Sequence, residues 1–287
     1  MIPYRHLFGP VNSRRLGLSL GVDLVPFKYC PLNCVYCEVQ NTTHLITERQ
    51  EFFSSQEILD ELDLFLKNRP ELDYITFSGA GEPTLHSGIG KIVKYIKSTY
   101  PNYRLALLTN GVLLNDPNVQ AEIIPCDLVL PSLDAATQTG YEIINRPKPG
   151  LKVQDLIAGL VEFRRAYAGQ MWLEVFIIAG INDSETELEA LIEAISQIAP
   201  DRVQLNALDR PGAEDWVQTA PLDLLQGILK LFAERLSMPV EIIAKAAVHL
   251  NTPSSIDLIR QIEATLRRRP CTAEDLAVTL GTHINEI

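Results

Sequence analysis

The chain has 287 residues, 46% of them hydrophobic and 21% charged, an ordinary globular composition that excludes disordered, collagenous and fibrous classes. Its net charge of −11 repels a phosphate backbone and argues against a general nucleic-acid coat protein, although residues 1–50 are locally basic. No apolar run approaches the roughly 18 residues a membrane span needs, and the opening Met1-Ile2-Pro3-Tyr4-Arg5-His6 has no signal-peptide core, so a cytoplasmic protein with no membrane partner is expected.

Short β-rich runs alternate with amphipathic helical patterns along most of the chain. The first strand is expected over 20–27. A helix follows over 55–67, with Ser54 as N-cap and Ile58, Leu62 and Phe65 on one face. Strands 73–78, 103–109, 127–133, 171–178 and 202–208 then lead in turn into helices 88–99, 116–124, 152–168, 184–198 and 221–236. Ser184, with Glu187 three residues on, has the pattern of a capping box. Six β–α units in series predict an α/β fold with a parallel sheet and right-handed crossovers, either doubly wound or curved into a barrel. Ligands are expected at the carboxyl ends of the strands.

Beyond Pro239 the alternation stops. Residues 254–269 read as a helix with Ile256, Ile259, Ile262 and Leu266 on one apolar face and Arg267-Arg268-Arg269 at its end. Residues 273–280 read as a second helix, followed by Gly281 and a last turn over 283–287. This is the outline of an incomplete helix-turn-helix. The division expected is a core over 1–238, including an N-terminal extension, and a small helical segment over 239–287.

Three of the five cysteines fall within eight residues: Cys30, Cys34 and Cys37, directly after the first strand. An odd total in a long chain is a poor disulfide framework, and a tight cluster points to metal. Cys126 and Cys271 stand alone and read as small buried hydrophobes. Spacings of four and three let one loop wrap three thiolates around a compact inorganic core. A 4Fe–4S cube needs four ligands, so one iron would stay open to an exogenous ligand. A zinc site completed by a distant histidine is the competing reading, weakened because the chain has no second pair of closely spaced cysteines. The second strand ends in Ser78-Gly79-Ala80-Gly81-Glu82-Pro83-Thr84, whose glycines admit close approach of a ligand to the backbone. A side chain at Gly81 is therefore expected to block a ligand while leaving the metal in place.

The loop Cys30-Pro31-Leu32-Asn33-Cys34-Val35-Tyr36-Cys37, taken with the glycine segment one strand later, resembles the radical S-adenosylmethionine (radical SAM) superfamily over roughly residues 15–235. The resemblance implies a partial (β/α)6 barrel, a 4Fe–4S cluster ligated by Cys30, Cys34 and Cys37, and S-adenosylmethionine as the second cofactor. It implies Gly79, Gly81 and Glu82 at the methionine end of that cofactor, Tyr36, Asn110, Ser132 and Asp134 in the same cleft with Ser132 near the ribose, and Ile177–Asn182 against the adenine. It further implies an electron donor such as flavodoxin or ferredoxin. Reductive cleavage would give a 5′-deoxyadenosyl radical that takes hydrogen from a small-molecule or macromolecular substrate.

The opening Phe8-Gly9-Pro10-Val11-Asn12-Ser13-Arg14-Arg15-Leu16-Gly17, with Leu20-Gly21-Val22-Asp23, is similar to a subgroup of wyosine-type Fe–S oxidoreductases, whose members often carry a C-terminal helix-turn-helix. The second cluster of true wyosine-forming enzymes needs more cysteines than Cys126 and Cys271 supply, so the subgroup does not fix the substrate. Modification of a tRNA or other RNA nucleotide is one alternative, not favoured by the net charge. An Fe–S-sensing helix-turn-helix regulator is another, weakened by the incomplete recognition helix. Arg14 and Arg15 read either as contacts to a substrate anion or as a solvated surface pair. Asn206 reads either as a residue facing the barrel interior or as a structural one.

Overall fold

The computed structural model describes residues 4–243, 255–266, 271–280 and 282. The expected arginine run 267–269 and the last turn over 283–287 lie outside them. The chain opens with an antiparallel hairpin, β1 (Leu7–Ser13) and β2 (Gly17–Val22), followed by a small ribbon of β3 (Tyr29–Cys30) and β4 (His44–Leu45). From β2 onward the main sheet is parallel, through β5 (Tyr74–Phe77), β6 (Leu105–Thr109), β7 (Leu128–Pro131), β8 (Gln170–Phe176), β9 (Arg202–Asn206) and β10 (Val240–Ile242) in spatial order. Helices α1 (Ser55–Leu66), α2 (Ile89–Thr99), α3 (Pro117–Ile123), α4 (Gln138–Ile144), α5 (Val153–Ala166), α6 (Glu185–Ile198) and α7 (Leu222–Arg235) fill the crossovers. Each strand advances one place, and among the described residues β1 and β10 do not pair, so the sheet is an open, partial barrel.

A parallel sheet covered by helices is buried on both faces, which is why every residue of β5 and β7 is buried and β7 is a continuous apolar run. The helices meet it with one stripe each; in α2 that stripe is Ile89, Ile92, Val93 and Ile96. No helix among the described residues is long and apolar enough to cross a membrane.

The structure departs from the sequence expectations in physically explicable places. The first strand ends at Val22 rather than residue 27: Asp23 N makes the last bond of the hairpin, to His6 O at 2.8 Å, and Pro26 has no N–H to extend it. Leu24 and Val25 are buried within the loop, so that apolar run reports burial and not a strand. The unexpected β1 carries Gly9-Pro10, which its edge position and a register shift between Phe8 and Val11 accommodate. The expected boundary after residue 238 falls just before β10, which pairs with β9, so the sheet runs past it. Ser54 makes no side-chain cap; Glu51 Oε1 instead accepts from Ser55 N at 2.8 Å. Ser184 does cap α6, accepting from Glu187 N at 3.3 Å. The Glu187 carboxylate, however, turns away to accept from Ala136 N, Thr137 N and Thr137 Oγ1, tying α6 to the start of α4.

At the C-terminus, α8 (Ser255–Leu266) and α9 (Ala273–Leu280) form a small core of Leu258, Leu276 and Leu280, against which Val11 of β1, Ile262 and Cys271 pack. The apolar face expected for α8 is displaced. Ile259 and Leu266 are exposed, and the side chain of Ile256 lies outside the description. Leu258 and Ile262, four residues apart, face inward instead.

Candidate functional site

Cys30 ends β3, and the loop after it is pinned to the far end of α4. Asn33 N donates to Asn145 O at 2.9 Å, Val35 N donates to Ile144 O at 2.9 Å, and Cys37 N closes a turn onto Cys34 O at 3.1 Å. Each cysteine sulfur accepts one side-chain N–H from a different part of the chain. Asn110 Nδ2 lies 3.3 Å from Cys30 Sγ, Asn145 Nδ2 lies 3.3 Å from Cys34 Sγ, and Lys28 Nζ lies 3.1 Å from Cys37 Sγ. The Asn110 amide is oriented by Val112 N, which donates to its Oδ1 at 3.0 Å and leaves the NH2 facing sulfur. Burial pushes the Cys30 thiol up to about 12, with nearby Glu82 adding to it. Burial and Asp134 push Cys34 up as well.

These features fit an iron–sulfur centre. A polynuclear cation reverses the preference for neutral thiols by binding thiolates, and N–H donors to sulfur are its usual second layer. Among the described residues no three ligating side chains are already closed into a metal-sized cage. Cys126, by contrast, is buried in the main apolar core, as a structural cysteine should be.

Beside Cys30 and Cys34 lies a cavity of about 230 Å3 at the carboxyl ends of β5, β6 and β7. Its walls include Tyr36, Gly79, Gly81, Glu82, Asn110, Ser132 and Asp134, so the structure brings together all seven residues expected at the cofactor. Cys37 is not on this wall; its sulfur faces Lys28.

Two of those seven also have structural commitments of their own. Glu82 is buried, and its carboxylate is committed to Thr84 N (3.1 Å), Thr84 Oγ1 (2.6 Å), Thr109 Oγ1 (2.6 Å) and Asn110 N (2.8 Å). It organises the turn rather than offering a free acceptor. Burial raises its pKa, against the pull of those donors. At Gly81 a Cβ would stand 2.2 Å from Tyr29 O, so the glycine is required by the cysteine loop's own backbone. Glu82 N also donates to Tyr29 O (3.0 Å) and Lys28 N to Ala80 O (2.7 Å), which makes the glycine turn and the cysteine loop one unit. Gly79 has φ of 125°, and a Cβ there would meet Asp23 Oδ1 at 1.7 Å.

Tyr36 stacks on Phe176 with centroids 3.9 Å apart, and its hydroxyl donates to Asp134 Oδ2 at 2.6 Å. Asp134 also accepts from Asn145 Nδ2 (2.7 Å) and Phe176 N (3.0 Å), and burial raises it to about 6. Asn182 is buried and bridges Asp134 O and Phe176 O at 2.8 and 2.7 Å, while Ile177 and Ile178 are buried beside it. Asn206 Nδ2 faces Glu174 Oε2 at 3.4 Å. Arg15 pairs with the same Glu174 carboxylate and Arg14 stands 3.7 Å from Asp209, so neither arginine belongs to a solvated pair. Sequence reasoning missed Lys28, Asn145 and Glu174. Only Lys28 carried a signal, as a cation two residues before the first cysteine.

A family model described as "Radical SAM superfamily" matches residues 24–195, more than half of the chain. A UPF0026 protein of Helicobacter pylori is 32% identical over 281 residues, covering 96% of this chain and 88% of that protein. A protein named GTPase Obg from Brachyspira hyodysenteriae is 34% identical over 280 residues, and the chain spans 40% of its length. Among solved structures, a radical SAM methyltransferase from Sphaerobacter thermophilus superposes with a TM-score of 0.59 at 16% identity, over 78% of this chain and 65% of that one. The likeness to that structure is one of fold. The matching family description is coarser than the wyosine-type subgroup suggested by residues 8–23, which is not adopted further. The chain belongs to the radical SAM superfamily.

Proposed function

We propose that the chain is an enzyme that holds one 4Fe–4S cluster on Cys30, Cys34 and Cys37 and binds S-adenosylmethionine in the adjoining cavity. The observation that carries this reading is one continuous unit: three cysteines in one loop, a separate N–H donor on each sulfur, and a glycine turn hydrogen-bonded to the same loop. When bound, the two groups supply one-electron cleavage of a C–S bond and hydrogen abstraction from a substrate.

The chain's own part is positioning and charge. Lys28, Asn110 and Asn145 stabilise negative charge on the sulfurs. Gly79 and Gly81, on the cavity wall, let the turn pack closely against Asp23 and the Tyr29 carbonyl of the cysteine loop. Glu82 locks Thr84, Thr109 and Asn110 so that the ends of β5 and β6 move together. Ser132 and Asp134 would hold the ribose side, and the apolar wall of Leu32, Leu108, Leu130 and Leu156 would keep water out. An external donor such as flavodoxin or ferredoxin would supply the electron, because Cys126 and Cys271 are too few for a second cluster.

The test is anaerobic reconstitution followed by incubation with dithionite and S-adenosylmethionine. About four irons and four sulfides per chain are expected, with formation of methionine and 5′-deoxyadenosine. Stoichiometric zinc without sulfide, or a fully loaded protein that makes no 5′-deoxyadenosine, overturns the reading.

A further inference from the structure

A second cavity, of about 340 Å3, adjoins the first and shares Arg15, Ser78, Gly79 and Leu108 with it. Beside the ends of β5 and β6, its walls include parts of the chain that are remote in sequence: Val11 and Arg14 at the hairpin, Asp209 and Arg210 after β9, and Asp275 and Leu280 on α9. This is the open side of the barrel, where β1 is an edge strand and the C-terminal helices pack on it.

The polar groups on this wall are incompletely matched. Thr76 Oγ1 and Arg210 Nε are buried without a hydrogen-bond partner. Arg210 is 8% exposed. Its NH1 reaches Glu38 Oε2 at 3.2 Å, whereas Asp275 Oδ1 stands 3.7 Å from its Nε, outside hydrogen-bonding range. Arg14 faces Asp209 at 3.7 Å, with no closer carboxylate among the described residues. Arg210 thus has one hydrogen-bonded acid in Glu38 and an unfilled Nε, while Arg14 meets its acid only at 3.7 Å, and a buried donor left unfilled is costly enough to call for an acceptor. Carboxylate and phosphate oxygens are the acceptors that fit a guanidinium fork. The wall also carries an apolar part, including Val11, Leu108 and Leu280.

We propose that this second cavity is the substrate chamber and takes a compact organic oxyanion, an apolar body bearing one phosphate or carboxylate, held by Arg14 and Arg210. The inference rests on the reading of the first cavity as the cofactor site. The volume lies within the range of small-molecule sites and suits a metabolite-sized substrate. Asp275 belongs to α9, where its Oδ2 also accepts from Thr272 N at 3.1 Å. An oxyanion reaching Arg210 therefore competes with a carboxylate of the tail, and occupancy is coupled to how α9 sits on the barrel.

The test uses the full-length reconstituted protein, titrated calorimetrically with phenyl phosphate, phenylacetate and the neutral benzyl alcohol. At least one anion is expected to bind, at least about tenfold more tightly than the alcohol, and whichever binds identifies the headgroup. Arg14→Gln and Arg210→Gln are each expected to weaken that binding about tenfold or more. Arg210 is buried and its variant can misfold, so Arg14→Gln, at a less buried position, carries the test if the Arg210 variant loses iron. No binding of either anion, equal binding of the alcohol, or wild-type affinity in Arg14→Gln overturns the proposal. Iron content and calorimetric binding of S-adenosylmethionine are measured first on the same preparation. Failure there counts against the cofactor reading, whereas intact loading without anion binding counts against the chamber alone.

Discussion

The barrel and the C-terminal helix pair are built to different standards of burial. In the barrel one apolar core runs from Leu7 to Leu236, and strands such as β5 and β7 bury every residue. The pair α8 and α9 has three buried leucines and rests on Val11 of an edge strand. The cysteine loop and the glycine turn stand wholly on the first region. The second cavity takes part of its wall from the second region. On the proposed reading, the cofactor site and the closure of the second cavity are therefore separable, because local stability follows the density of buried contacts.

The largest effect lies in the barrel. Replacing Cys30, Cys34 or Cys37 by Ala is expected to abolish iron and sulfide incorporation, while Cys126→Ala and Cys271→Ala retain it. Iron and sulfide analysis of the five variants checks this, and loss of the centre in a Cys271 variant would erase the separation between the regions.

Next is Gly81→Val. The Cβ contact with Tyr29 O at 2.2 Å means the substitution pushes the cysteine loop itself. Overpacking of this kind costs about 1–3 kcal/mol. Urea unfolding should show that loss together with reduced iron, in place of the intact centre expected from the sequence. Full iron loading at wild-type stability would show that turn and loop are independent.

Truncation after residue 243 removes α8 and α9 but keeps β10 on the sheet. Iron content and 5′-deoxyadenosine formation are expected to survive, with binding of the anion probe lost. Truncation after residue 238 also removes β10 and should lower the melting temperature further. Loss of the cluster in the longer of the two proteins would mean that the tail supports the barrel.

A smaller change is expected for Lys28→Met. Lys28 is the one charged donor among the three that face the sulfurs, and stabilising the more negative reduced form raises a cluster's potential. A redox titration followed by electron paramagnetic resonance should show a lower midpoint potential, with iron content unchanged. An unchanged potential removes Lys28 from this role.

The smallest effect is a pH dependence internal to the barrel. Burial lowers the pKa of His86, whose Nδ1 accepts from Gly88 N at 3.0 Å while Nε2 faces Phe53 O at 2.9 Å. Burial lowers His6 also. The unfolded chain then binds protons more readily, so this stability is complete above about pH 6.5 and is lost as pH falls below it. Unfolding curves on either side of that value should show the decline, and His86→Gln should flatten part of it. A steeper decline in the variant would contradict the assignment.

Much of the barrel was legible because its elements are long and periodic. The stripe of α2 and the buried runs of β6 and β7 leave one reading. The cysteine spacing and the glycine turn were legible for a different reason, since both are local in sequence. What stayed hidden was short or non-local. The three residues of β10 and the seven of α4 are too few for periodicity. Asn145 reaches Cys34 across 111 residues, and Glu174 meets Arg15 across 159. Ser54 stands at the N-cap position without a side-chain bond, and Glu51, three residues earlier, takes the first N–H of the helix at Ser55 instead. The inward face of α8 was displaced because it is set by what packs on Val11, which lies at the other end of the chain.

The most direct test of the central claim is Mössbauer spectroscopy of the full-length protein reconstituted with isotopically enriched iron, before and after addition of S-adenosylmethionine. On the proposed reading, three cysteine ligands would leave one iron of the cluster distinct from the other three, and the cofactor would bind at that iron. The account predicts that one quarter of the signal shifts on addition while three quarters stay in place. Four equivalent irons that do not respond to S-adenosylmethionine would contradict it.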